Sequence, residues 1–140
     1  MPAKGQKKNI RVVAADDNTQ VRNKVVQLLQ PEFEVVGTAA DGKAALEIIR
    51  LLKPEIVVLD ISMPIMTGIE VAAEMKKTRS KTRIVFLTVH EDPDFVKAAM
   101  KAGGSAYVVK SQMATDLISA MQAASDGNKF ISPNCTVTRD

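Results

Sequence analysis

The chain has no tryptophan, one tyrosine and four phenylalanines, so its core has to be aliphatic, built from Val, Ile, Leu, Ala and Met. The single cysteine, Cys135, excludes an internal disulfide and suits a reducing compartment. It reads as an ordinary thiol near the C-terminus. With only one histidine, His90, beside that one cysteine, no soft zinc constellation can form. Long apolar runs are also missing. No segment approaches the roughly 20 residues of a membrane-spanning helix, and no apolar stretch follows the N-terminal lysines as in a signal peptide. Cytoplasmic placement, with no membrane partner, is the expectation. The excess of basic over acidic residues is small, net +3, and owes much to Lys4, Lys7 and Lys8. A nucleic-acid or membrane surface needs a denser basic patch. Residues 1–8 are expected to form a disordered basic tail.

What the chain does have is a set of short apolar runs that each stop at a polar residue. Ile10-Arg11-Val12-Val13-Ala14-Ala15 ends in Asp16-Asp17, and Glu55-Ile56-Val57-Val58-Leu59 ends in Asp60. Arg83-Ile84-Val85-Phe86-Leu87 ends in Thr88, and Ala106-Tyr107-Val108-Val109 in Lys110. As parallel strands these would converge their polar ends on one edge of one sheet, where open α/β sheets bind ligands.

Helical stripes separate the runs. Asn18 can cap a helix carrying Val21, Val25, Leu28 and Leu29, which Pro31 stops. Phe33 to Gly37 reads as another strand, with Asp41-Gly42 as the turn after it. Ala45, Ile48, Ile49 and Leu52 form the next stripe, and Gly68 precedes Ile69, Ala72, Ala73 and Met75. A helix from about Pro93 carries Val96, Ala99 and Met100 and ends near Gly103-Gly104. Leu117, Ile118 and Met121 mark the last. The non-alternating run Ile56 to Leu59 suits a strand covered on both faces. Five strands alternating with five helices imply an α/β fold, a flavodoxin-like doubly wound (βα)5 sandwich. Its five-stranded parallel sheet would have the order 2-1-3-4-5, with Asp16, Asp17 and Asp60 side by side at the switch point.

Two carboxylates about 4 Å apart repel by roughly 4 kcal/mol at an effective dielectric near 20. Three cannot share a cleft cheaply unless a cation joins them or one takes a proton. Hard oxygen ligands select Mg²⁺ or Mn²⁺. Asp16 and Asp17 supply some ligands, and a backbone carbonyl just after Asp60 can supply another. Lys110 and Thr88 form an anion-binding half, an ammonium and a hydroxyl suited to phosphoryl oxygens. No Ser or Cys lies beside a base, so the sensible nucleophile is a carboxylate, and Asp60 ends the central strand.

Together these residues closely resemble the receiver domain of two-component response regulators. The resemblance covers roughly residues 10–133. It rests on Ala15-Asp16-Asp17, on Val58-Leu59-Asp60-Ile61-Ser62-Met63-Pro64 with Gly68, on Leu87-Thr88 and on Tyr107-Val108-Val109-Lys110. It implies that Asp60 accepts a phosphoryl group from a sensor histidine kinase or phosphotransfer protein. By the same resemblance, Asp16, Asp17, Asp60 and the Ser62 carbonyl would hold Mg²⁺, while Thr88 and Lys110 contact the phosphoryl group. Tyr107 would be an aromatic switch that turns inward as Thr88 moves. His90 is expected only to rim the site.

Thr88-Val89-His90-Glu91-Asp92 and Asp126-Gly127-Asn128-Lys129-Phe130-Ile131-Ser132-Pro133 are similar to the NarL/FixJ (LuxR-type) subgroup, where a receiver precedes a helix-turn-helix DNA-binding domain. Members often form homodimers. The expected organisation is a receiver domain over residues 9–127 and a linker-like segment over 128–140. DNA would be reached only through an output domain that this chain does not include. Val89 is bulkier than the small residue many receivers carry, so Val89→Ala is expected to speed phosphorylation by small donors. The rival reading is a Mg²⁺-dependent phosphatase or phosphotransferase with an aspartyl nucleophile. Such enzymes often carry a second Asp two residues after the first, where this chain has Ser62. A nucleotide-binding domain is weaker still, for want of a Walker or Gly-x-Gly-x-x-Gly loop.

Overall fold

The computed structural model describes residues 7–135. β1 (Lys7–Ala15), β2 (Phe33–Ala39), β3 (Ile56–Leu59), β4 (Arg83–Thr88) and β5 (Gly104–Val109) alternate with α1 (Thr19–Leu29), α2 (Gly42–Leu52), α3 (Gly68–Lys77), α4 (Pro93–Lys101) and α5 (Met113–Ser125). A short strand, β6 (Phe130–Ile131), follows. The strands form one parallel sheet in the order β2-β1-β3-β4-β5-β6. The doubly wound fold is the expected one, with a correction at one edge: the sheet has six strands, not five. Phe130 and Ile131 pair with Ala106 and Tyr107, inside the segment expected to be linker-like. Residues 136–140 of that segment lie outside the described residues, as do residues 1–6 of the expected tail. Lys7 and Lys8 belong to β1. No helix among the described residues is long and apolar enough to cross a membrane.

Strand periodicity divides the core into two layers. Val13, Ala15, Val57, Leu59 and Phe86 face α2, α3 and α4, packing against Leu46, Ile49, Val71, Met75 and Val96. Val12, Ala14, Ile56, Val58, Val85 and Leu87 face α1 and α5, meeting Val25, Leu29, Leu117 and Met121. All four β3 residues are buried, as the unbroken apolar run requires of a strand covered on both sides. Each fully buried aliphatic side chain contributes about 1.5–3 kcal/mol relative to exposure.

Local signals set the helix starts. Asn18 caps α1 by accepting from Val21 N at 3.0 Å, and Asp41 does the same for α2 through Ala44 N at 2.8 Å. Asp41 is thus a cap, not a turn residue only. Thr67 and Glu70 close a capping box on α3, satisfying two amides that the helix start would otherwise leave unpaired. Among the described residues, three other than glycine have left-handed backbone: Lys53 (φ 48°) capping α2, Arg79 (φ 56°) just past α3, and Ile65 (φ 73°) in the β3–α3 loop. Such a conformation costs a residue with a Cβ roughly 1–2 kcal/mol.

Candidate functional site

Register brings the acidic residues together. Ala15 pairs with Leu59, so Asp16 and Asp60, the next residue in each chain segment, emerge side by side. Main-chain bonds hold both. Asp16 N donates to Ala39 O and Asp60 N to Ala15 O, each at 3.0 Å. One carboxylate oxygen from each of Asp16, Asp17 and Asp60 lies within 4.8 Å of the others. Asp16 and Asp60 are buried, and Asp17 is exposed.

Lys110, at the end of β5, reaches into this cluster. Its Nζ lies 2.8 Å from Asp16 Oδ2 and 3.1 Å from Asp60 Oδ2, and donates a hydrogen bond to the latter. Asp60 Oδ1 accepts from Ser62 N at 3.3 Å. Asp16 Oδ1 accepts from Asn18 N at 2.9 Å. Asp16 Oδ2 is buried and makes no hydrogen bond among the described residues, its one partner being the ion pair with Lys110. Three carboxylates against one ammonium leave the site net negative. A buried oxygen without a hydrogen bond, in an all-oxygen donor set, fits Mg²⁺ or Mn²⁺.

Burial and neighbouring charges shift both Asp60 and Lys110. Burial, then the Asp16 carboxylate, push the Asp60 carboxyl above its ordinary 3.8, with Lys110 and the Ser62 amide pulling back. Burial disfavours the Lys110 ammonium, yet its contacts with Asp16 and Asp60 outweigh that and raise it above 10.5. Lys110 therefore stays charged across the physiological range.

Thr88 ends β4 fully buried, and its Oγ1 accepts from His90 N at 3.4 Å. Tyr107 is also fully buried, turned inward with its hydroxyl donating to His90 O at 2.8 Å. Burial raises the Tyr107 phenol well above 10.0, helped by the negative fields of Cys135 and Asp92. Val89, one residue past Thr88, is exposed. Gly68 N donates to Ile61 O at 2.8 Å, and a Cβ on Gly68 would sit 2.1 Å from Asp60 O. Only glycine lets α3 start so close to the acidic strand end.

His90 does more than rim the site. Its Nε2 lies 2.8 Å from Ser62 Oγ, and its ring stacks on Phe95 of α4 with centroids 4.0 Å apart. It thus joins the loop after β3 to the start of α4. Phe95, five positions on, was the one available hint in the sequence, and spacing alone does not distinguish a stack from two loop residues. Ser132 was missed altogether. It is fully buried, accepts from Val109 N at 3.1 Å and donates to Asp116 Oδ2 at 2.8 Å, tying β5 to α5 next to Lys110.

Residues 12–122 match the response regulator receiver domain family. The chain belongs to that family. This receiver is similar to the probable transcriptional regulatory protein NarL of Mycobacterium tuberculosis, at 33% identity over 131 residues, 92% of this chain and 61% of the relative. It is also similar to a solved LuxR-family two-component response regulator from Aurantimonas sp. SI85-9A1. There the TM-score is 0.85 and the identity 33%, over 90% of this chain and 91% of that one. RcsB dimers solved on two parallel DNAs share its fold at 26% identity and a TM-score of 0.82, over 90% of this chain and 65% of theirs. The receiver spans only part of the length of the curated relatives it matches, 61% for NarL. The resemblance read from the motifs is borne out: the chain is a receiver of the kind found in LuxR-type bacterial transcriptional regulators.

Proposed function

We propose that this receiver takes a phosphoryl group onto Asp60 from a sensor histidine kinase or phosphotransfer protein and thereby switches a transcriptional output. The observation that carries this reading is Lys110 Nζ lying within 3.1 Å of both Asp16 and Asp60, inside a three-carboxylate cluster at the sheet's C-terminal edge. In the step, an Asp60 carboxylate oxygen attacks phosphorus and forms the acyl phosphate bond. The bond from phosphorus to the donor's imidazole nitrogen breaks, and its electron pair stays on that nitrogen.

Lys110 sits where it can neutralise a phosphoryl oxygen, and the buried Thr88 hydroxyl can donate to another. Asp16, Asp17, Asp60 and the Ser62 carbonyl are the residues that would hold Mg²⁺ or Mn²⁺. The cation, when bound, offsets charge on the phosphoryl oxygens. Phosphorylation adds charge and three acceptor oxygens beside Thr88. A population shift from 1:99 to 99:1 needs about 5.5 kcal/mol of differential stabilisation, which a few charge-assisted bonds of roughly 1.5–3 kcal/mol supply. Thr88 and Tyr107 meet at His90 through its amide and its carbonyl, so movement of the hydroxyl toward a phosphate bears directly on the ring's seat. Output through a DNA-binding domain, and pairing as a homodimer, are supported by the similarity to RcsB dimers solved on DNA.

Intact-protein mass after incubation with acetyl phosphate and Mg²⁺ tests the phosphoacceptor. A gain of about 80 Da that Asp60→Asn abolishes supports it. Rapid release of free phosphate with no adduct would favour a hydrolase instead, and neither adduct nor turnover would indicate a receiver that signals without phosphate.

A further inference from the structure

The N-terminal edge of the sheet, opposite Asp60, holds a cleft of about 800 Å³. Its floor is apolar, formed by Ile49, Ile56 and Met75 with Ile10 at the side. Its rim carries five cations, Arg50, Lys53, Arg79, Lys81 and Arg83, against Glu55. Five cations against one carboxylate leave this rim net positive. We propose that this cleft binds a nucleotide di- or triphosphate, phosphates on the cationic rim and base on the apolar floor.

Three observations carry the assignment. Lys53, Arg79 and Lys81 have no ion-pair partner among the described residues, and Arg50 has only a 4.0 Å contact with Glu74 at the surface. The rim is therefore open to an anion. Second, of the three described non-glycine residues with left-handed backbone, two are Lys53 and Arg79, both on this rim. Helix C-termini favour a nearby cation, but the left-handed position is one where glycine or asparagine relieves strain. Strained backbone of this kind clusters at ligand clamps. Nor does a helix end account for Lys81 in a loop, whereas Arg83 caps the C-terminus of α5. Third, the walls are already held. Thr82 Oγ1 donates to Pro54 O at 2.7 Å, Arg83 N to Glu55 O and Glu55 N to Arg11 O at 2.9 Å each. The Arg83 guanidinium is anchored on the carbonyls of Ala124 and Ser125.

Size and lining select the ligand class. The volume falls in the range of about 300–1,000 Å³ that encloses a small organic molecule, and inorganic phosphate would leave the floor uncovered. Guanidinium groups grip phosphate oxygens in pairs and also stack on planar rings, which suits a base joined to a polyphosphate.

Calorimetric titration of the whole chain with ATP, in EDTA and about 0.15 M salt, tests the site apart from any cation at the acidic cluster. Expected is one saturable event with Kd of about 100 µM or tighter, with tripolyphosphate and adenosine each binding at least tenfold more weakly. Lys53→Gly with Arg79→Gly removes two cations while relieving two strained positions. This variant should lose at least tenfold in affinity without losing thermal stability. Lys81→Gln, in an exposed loop, gives a second loss that folding cannot explain. No binding at millimolar ATP, equal binding of tripolyphosphate, or undiminished affinity in both variants would each overturn the assignment. Asp60→Asn leaves the expected titration unchanged, so the result is independent of the phosphoacceptor reading.

Discussion

Tyr107 holds the main chain of His90, its hydroxyl 2.8 Å from the carbonyl oxygen, while His90 itself reaches Ser62 and Phe95 through its ring. A buried strand aromatic is thereby linked to the loop after Asp60 and to the first turn of α4. Tyr107→Phe keeps the ring and removes only the donor, leaving one half-buried carbonyl short of a partner. The expected loss is about 1–2 kcal/mol of unfolding free energy, read as a lower urea midpoint at unchanged slope. His90→Ala should not reproduce the loss of this bond, because the acceptor is main chain. It should instead loosen the start of α4, seen as faster amide exchange at Phe95 and Val96. A Tyr107→Phe midpoint equal to wild type would show that the bond contributes nothing.

Asp60 is held charged at a cost. Burial and the Asp16 carboxylate raise its pKa above 3.8, so the folded state binds this proton more tightly than the unfolded chain. Its contribution to stability is therefore full below about pH 3.8, falls as pH rises through the folded pKa, and stays lowered at neutral pH. Asp60→Asn removes the repulsion and leaves Lys110 its 2.8 Å partner Asp16. In EDTA at pH 7 the variant should be more stable by about 1 kcal/mol, a few degrees in Tm. Added Mg²⁺ should stabilise wild type more and shrink the gap, as a ligand of the folded state alone does. A variant less stable than wild type in EDTA would contradict this account.

Much of this architecture is legible in the sequence. The unbroken run Ile56 to Leu59 announced a strand buried on both faces, and in a parallel sheet every strand delivers its next residue to one edge. That rule alone placed Asp16, Asp60, Thr88 and Lys110 together. What escaped were features without a local period. Two residues, Phe130 and Ile131, carry no periodic signal, so β6 becomes visible only through its pairing with β5. Ser132 looks like any loop serine until β5 and α5 close around it. The basic cleft is the clearest case: Arg50 and Lys53, then Arg79, Lys81 and Arg83, lie on separated stretches with no charge run. Only the folding of α2, α3 and β4 to one edge gathers them.

Alkaline stability should report two buried acids in sequence. Burial, with Glu91 and Asp116 nearby, raises the Cys135 thiol above 9.0, and Tyr107 is raised from 10.0 mainly by burial. For both groups the folded state keeps its proton after the unfolded chain has released it. Stability is therefore full below the ordinary pKa and declines above it. Unfolding free energy is expected to start falling near pH 9 and to steepen beyond pH 10. Cys135→Ala should flatten the first interval, and Tyr107→Phe the second. Lys110, also raised, contributes only above 10.5 and with the same sign. A flat profile to pH 10 in wild type would remove the Cys135 part.

Gly68 couples the α3 start to Asp60 through space that a methyl group would occupy. An added Cβ meets Asp60 O at 2.1 Å and Ile61 Cα at 3.0 Å, both main-chain atoms that no rotamer change can clear. Gly68→Ala must therefore push α3 away from Asp60 or tilt the strand end. In an ordinary helix this substitution gains about 1 kcal/mol from propensity; here overpacking should reverse the sign and cost about 1–3 kcal/mol. Moving Asp60 also moves its carboxylate relative to Lys110, whose Nζ is 3.1 Å from Oδ2. Acyl phosphate formation from acetyl phosphate should slow at least tenfold, since displacement of a reacting group by about 1 Å costs far more than that. Equal stability and equal phosphorylation in Gly68→Ala would mean that the close approach of α3 plays no part in placing Asp60.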